Sequence, residues 1–302
     1  LPPETSTDRK DRLVVLDYVR NAYQHQPELF KRFLTIVKGQ MLANALLCPD
    51  LDSLHQKFSD VTFFLDTPFA LRLLEPDCTA EFKSANNLVN LLQDLGGKVS
   101  VFSHTLDELQ NVLYFLENAI ENPECETQTL SRMRRAGVQS SDIGLLSERL
   151  TEELGKFGIY KRTTPDHVVE YEIGEAELGE ILEEEIHYRN PDAELYDIDS
   201  IRSIYTLRRG HKPRRLEEAV AVFVTTNSAL ASVANEYKDQ YESSQSVSPV
   251  FTNRVLANIA WLKSPVEAQD VPQWELMSLA YAAMEPPDAF WDKYIEEIDK
   301  LK

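Results

Sequence analysis

Cysteine is nearly absent: Cys48, Cys78 and Cys125 are the only three in 302 positions. They are odd in number, far apart and without a C-x-x-C pair, which excludes a disulfide framework and a cysteine-built zinc site. Long apolar runs are lacking as well. No stretch reaches the length of a membrane span, and the opening residues 1–10 have neither the basic start nor the apolar centre of a signal peptide. A cytoplasmic location without a membrane partner is therefore expected. An initiator Met is missing and the chain stops in a charged helical pattern at Trp291–Lys302, so further sequence is expected beyond both ends.

Two catalytic classes are also short of their parts. No glycine-rich phosphate loop is present, which argues against an unrelated nucleotide-binding or receiver-like α/β fold. The six histidines are dispersed, so no Ser-His-Asp arrangement is indicated, and His104 beside Glu108 reads as a loop or cap residue. Positive charge is scarce: 31 Lys and Arg stand against 50 Asp and Glu, a net charge of -19. A polyanion is repelled by such a chain unless a bound metal ion, a local basic patch or a basic partner helps. The simplest reading of the excess is a solvated acidic surface.

What is present is organised around 61–68, Val-Thr-Phe-Phe-Leu-Asp-Thr-Pro. A short, near-continuous apolar run predicts a strand buried on both faces of a parallel sheet, and it delivers Asp66 where ligands of open α/β sheets bind. Helical periodicity precedes it, and a helix over 82–95 follows, closed by Gly96-Gly97. A second strand, 98–102, runs into a helix capped by Ser103 or Thr105 with Glu108 in its first turn. Residues 111–196 show no convincing buried strand. They are expected to be helices at 111–122, 141–157 and 174–188, with an extended or looped segment at 159–173. Two carboxylates, Asp197 and Asp199, then open a helix with Asp199 as its cap. Further strands are predicted at 220–225, ending in Thr225-Thr226-Asn227, and at 247–251. The domains expected are an N-terminal tail and helices (1–60), an α/β domain (61–262) with a helical insertion at 111–196, and a C-terminal helical extension (263–302).

The ordered set of Asp66 after a buried strand, Glu108 after the second, Asp199 in Asp-Ser-Ile-Arg, and Thr225-Thr226-Asn227 after a later strand resembles the PIN-domain nucleases. The resemblance spans roughly residues 60–262. It implies a three-layer α/β/α fold with a central, mainly parallel sheet and metal-dependent phosphodiester hydrolysis, as an endonuclease on RNA or single-stranded DNA. Mg²⁺ or Mn²⁺ is the implied cofactor, since hard divalent ions prefer carboxylate oxygens. Asp66 is the expected central ligand, with Glu108 and Asp199 completing the site and Asp197 in reserve. Asn227 stands where the family often has a fourth acid, and is expected either to ligate weakly or only to cap the next helix. Thr67 and Thr225 are expected beside substrate, with Thr225 orienting its neighbours by hydrogen bonding rather than acting itself, and the basic loop offers Arg208, Arg209 and Lys212 for phosphate contact. Arg132, Arg134 and Arg135 form a second basic cluster. The acidic surface and Asn227 favour the alternative of an inactive PIN-like module that binds a protein partner.

Overall fold

The computed structural model describes residues 25–32, 57–76, 79–188, 190–242 and 245–263, and the α/β unit spans His55–Ser264. Residues 25–32 are largely helical. The rest of the predicted N-terminal helices and the C-terminal extension lie outside the described residues.

In chain order the unit runs β1 (Thr62–Leu65), α1 (Thr67–Leu73), α2 (Ala80–Asp94), β2 (Lys98–Phe102), α3 (Ser103–Ala119), α4 (Gln128–Arg135), α5 (Ser140–Glu148) and α6 (Leu150–Gly155). It continues with β3 (Ile159–Arg162), α7 (Glu175–Ile186), α8 (Pro191–Arg208), β4 (Ala221–Thr225), α9 (Ser228–Tyr241), β5 (Val250–Thr252) and α10 (Asn253–Lys263). The five strands form one sheet in the order β3-β2-β1-β4-β5, and every pairing is parallel. Helices lie on both faces, which makes the domain a three-layer α/β/α fold. Among the described residues no helix is long and apolar enough to cross a membrane.

The strand order fixes where a ligand crevice opens. From β1 the chain steps outward through β2 to β3, then returns to the other side of β1 to lay down β4. The topological switch therefore falls between the carboxyl ends of β1 and β4, the position at which open parallel sheets bind ligands. Asp66 follows β1 there and Thr225 ends β4 there.

One face of the sheet packs Phe64, Phe102 and Phe223 against Leu178 and Leu182 of α7, Ile201 and Ile204 of α8, and Leu230 and Val233 of α9. Each such side chain contributes roughly 1.5–3 kcal/mol when fully buried, so the rotation of α8 about its axis is set by Ile201 and Ile204. The Phe64 and Phe102 rings stack with centroids 4.0 Å apart. On the other face α2 and α10 touch each other, with α2 against β2 and α10 against β4. Gly96 ends α2 in the left-handed region at φ 85°. Gly97 beside it has no room for a side chain, since a Cβ there would lie 2.7 Å from the Phe63 ring.

Four boundaries differ from expectation. The helix after β2 starts at Ser103 itself, with Phe102 as its cap residue and no side-chain cap bond, and it absorbs the helix expected at 111–122. The helix expected at 141–157 is broken at Arg149 into α5 and α6. A short strand, β3, lies at the start of 159–173, the segment expected to be extended or looped. Only Ile159 of its four residues is buried, the pattern of an edge strand rather than of a buried one. The fourth difference concerns α8 and decides the composition of the site.

Candidate functional site

Asp66 leaves β1 and immediately caps α1. Its Oδ1 accepts the Phe69 N–H at 2.8 Å, as an N-cap carboxylate does, with Pro68 in the first turn of the helix. Its Oδ2 reaches across to β4, accepting the Thr225 hydroxyl at 2.5 Å and the Thr226 N–H at 3.0 Å. One buried carboxylate thus ties the two strand ends of the switch point together. Burial raises its pKa, while the bonds from Thr225, Phe69 and Thr226, and then the charge of Arg72, work against the rise.

Glu108 comes from α3. The hydroxyl of Thr67, the residue after Asp66, donates to Glu108 Oε2. Burial pushes the Glu108 carboxyl up to about 7; the Thr67 bond opposes the rise and the charge of Asp66 adds to it.

The third carboxylate is Asp197. Tyr188, in the turn between α7 and α8, donates its hydroxyl to Asp197 Oδ2 at 2.6 Å. Burial pushes Asp197 up to about 8, opposed by the Tyr188 bond and reinforced by the charges of Asp66 and Glu108. These three acids share one neighbourhood. Each is held by a hydroxyl from a different element: Thr225, Thr67 and Tyr188.

Asp199 is not among them. The helix opens at Pro191 with Asn190 as its cap, so Asp199 sits in the third turn instead of capping it. Two residues are about 200° round a helix. Packing of Ile201 and Ile204 on the sheet turns Asp197 toward Asp66 and Glu108, and turns Asp199 to an ion pair with Arg202 at 2.9 Å. The Asn-Pro start signal at 190–191 was present in the sequence and marks the register.

Asn227 takes the capping alternative. Its Oδ1 accepts from Ala229 N at 3.0 Å and Leu230 N at 3.3 Å, which commits that oxygen to α9. Asn227→Asp is therefore expected to leave divalent-ion affinity unchanged, and Asn227→Ala to cost about 1 kcal/mol of stability through the lost cap. Calorimetry with Mn²⁺ and a urea melt check the two halves.

The residues expected at substrate also move. Thr67 and Thr225 are buried and spend their hydroxyl protons on Glu108 and Asp66. Arg208 is 2% exposed and donates to three backbone carbonyls, Ala221 at 3.1 Å, Val247 at 2.9 Å and Ser248 at 2.9 Å, beside Glu242 at 3.6 Å. Ala221 begins β4 and lies about 13 Å down the strand from Thr225, so Arg208 belongs to the far end of the sheet. Arg209 and Lys212 are exposed in the loop at that same end. Arg132 is bidentate to Glu75 and Arg134 binds four backbone carbonyls, so both are committed to the fold.

His104 is more than a loop residue. It is buried, with Nδ1 2.8 Å from Thr164 Oγ1 and Nε2 2.8 Å from Ser200 Oγ. Burial lowers its pKa to about 4, with the charge of Asp199 opposing. Neutral at ordinary pH and bonded through both nitrogens, it ties the start of α3 to α8 and so positions Asp197 relative to Glu108.

All donors at the centre are oxygens. Glu108 Oε1 and Asp197 Oδ1, the atoms left over by Thr67 and Tyr188, accept no hydrogen bond among the described residues. Among the described residues no group of three or more His, Cys, Asp or Glu is placed so that it could hold one metal ion. No protein-family model, curated protein or solved structure matches the chain.

Proposed function

We propose that the chain is a divalent-metal-dependent phosphodiester hydrolase of PIN-like type, an endonuclease on RNA or single-stranded DNA. The observation that carries the reading is the convergence of Asp66, Glu108 and Asp197 at the switch point, each oriented by its own hydroxyl. Hydroxyls that orient carboxylates from behind are the usual support of ligands to a hard ion. Burial raises the Glu108 and Asp197 carboxyls and the charge of neighbouring acids adds to the rise, an arrangement that a bound cation would relieve.

Mg²⁺ or Mn²⁺ would be held by Asp66 with Glu108 Oε1 and Asp197 Oδ1, and when bound would supply charge to polarise a phosphodiester and acidify water. Thr225 and the Thr226 N–H keep Asp66 aimed between β1 and β4. Thr67 and Tyr188 hold the other two carboxylates by their far oxygens. Asp199 keeps Arg202 in place instead of binding the ion.

Labelled single strands should be cut by the wild-type chain in Mn²⁺, and Glu108→Gln should lower that rate by roughly a hundredfold or more. Gln retains an oxygen for Thr67, so the fold is preserved. Equal cleavage by both proteins would sink the reading. The second reading, an inactive module for a protein partner, is favoured by one observation, the commitment of Asn227 to capping in place of a fourth acid. Absence of cleavage by the wild type under saturating Mn²⁺ would select it.

A further inference from the structure

We infer that the concave surface over β2 and β3 binds a single strand of nucleic acid; the inference rests on the hydrolase reading. β3 is an edge strand, and Tyr160, Lys161 and Arg162 are all exposed on it, Tyr160 to 66%. Lys98 on the neighbouring β2 is exposed as well. None of the three cations has a carboxylate partner among the described residues. In a chain of net charge -19, an aromatic ring set among three uncommitted cations is a local exception to the acidic surface.

The surface is concave where these residues lie. A cavity of about 550 Å³ is lined by Lys98, Ser100, Tyr160 and Arg162. A second of about 430 Å³ shares Lys161 and Arg162 and is walled by Leu207 of α8. Ser100 is buried in the floor, where a larger side chain would fill the space. Cations that follow a backbone, with an aromatic face on which any base can stack, are how single strands are held without sequence preference.

Register relates the groove to the acids. Arg162 pairs with Phe102, the residue before α3, which carries Glu108. Thr164, just past β3, bonds Ser103 and His104. Two strand spacings, about 10 Å, separate β3 from β1 and its Asp66. The second cavity also touches Thr62 and Ala221, at the starts of β1 and β4, so from Arg162 the groove runs away from the carboxyl ends of the strands. Cations on an edge strand can also serve only to block strand addition, and the experiment separates the two roles.

Fluorescence anisotropy of the full chain with fluorescein-labelled oligouridine and oligothymidine, in EDTA and in Ca²⁺, tests the groove. Tyr160→Ala should weaken binding about fivefold or more. Lys161→Gln and Arg162→Gln should each flatten the dependence of log affinity on log salt by ~0.7. Mn²⁺ affinity should stay at the wild-type value in all three, and the two oligomers distinguish a need for the ribose hydroxyl. Isotherms of the variants that superimpose on the wild type, or a wild type that binds neither oligomer, would overturn the groove. Strand binding that depends on Tyr160 without any cleavage would keep the groove and overturn the hydrolase. Cleavage that survives Tyr160→Ala and Arg162→Gln with unchanged KM would do the reverse.

Discussion

Replacing Arg208 by Ala is expected to destabilise the domain by about 3–5 kcal/mol, because it breaks a buried pair and leaves one charge behind. The guanidinium is shared among Ala221, Val247 and Ser248, carbonyls from two separate stretches of chain, so three acceptors lose their donor at once. Glu242, at 4% side-chain exposure, is left without its cation. Burial already raises the Glu242 pKa against the pull of Arg208, so in the variant it is expected to take up a proton. Glu242→Gln added to Arg208→Ala should therefore recover part of the loss, as coupled neighbours do. Urea unfolding gives both numbers. A midpoint for Arg208→Ala within error of wild type, together with weakened oligonucleotide binding, would return Arg208 to the substrate.

The second large effect is on the pH dependence of stability in the metal-free protein. Glu108 titrates near 7 in the fold and at 4.5 ordinarily. Below pH 4.5 its carboxyl is protonated in both states and the fold bears no charge penalty. Between 4.5 and 7 the unfolded chain releases the proton first, so stability falls as pH rises, and above 7 the loss is complete. A shift of that size is on the order of 3 kcal/mol. Asp197, raised to about 8, carries the decline further. Glu108→Gln cannot charge, so it should flatten the curve and melt about 6–12 °C above wild type at mildly alkaline pH. Parallel wild-type and variant curves across that window would show that burial beside Asp66 does not raise the Glu108 carboxyl in the fold. Asp66 is the wrong residue for this test, because it also caps α1 and bridges to β4.

Much of this was legible in the chain. The buried run before Asp66 specifies a central strand because both faces are apolar, and the apolar run before Thr225 does the same for β4. Together they mark two central strands, and the strand order of the sheet then puts the switch point between them. Glu108 was legible as an acid close after β2, although not as a side chain held by Thr67. β3 was legible only as an extended or looped segment, because an edge strand buries so little: Ile-Tyr-Lys-Arg has one inward residue. The choice between Asp197 and Asp199 depended on helix register. Both acids precede the same apolar stripe, and only the true start at Asn190-Pro191, with Ile201 and Ile204 facing the sheet, turns Asp197 inward. Tyr188 and His104 were out of reach for another reason. His104 meets Ser200 far along the chain, and Tyr188 meets Asp197 close by but only in the helix register that starts at Asn190, neither of which periodicity encodes.

Arg208 shows how charge type misleads. An Arg near a helix C-terminus satisfies the helix dipole on any reading. Its burial under two loops came from the return of the chain to β4 and β5, a long-range consequence of the strand order.

The central claim is that Asp66, Glu108 and Asp197 form one cation-binding centre from which Asp199 is excluded. Titration calorimetry with Mn²⁺ at neutral pH on Asp197→Asn and Asp199→Asn tests it most directly. Both substitutions are isosteric, and the amide introduced at position 197 would retain an oxygen for the Tyr188 hydroxyl. The expected result is a loss of Mn²⁺ affinity of roughly tenfold or more in Asp197→Asn and a wild-type isotherm in Asp199→Asn. Wild-type affinity in Asp197→Asn with loss in Asp199→Asn, or no effect of either, would contradict the account.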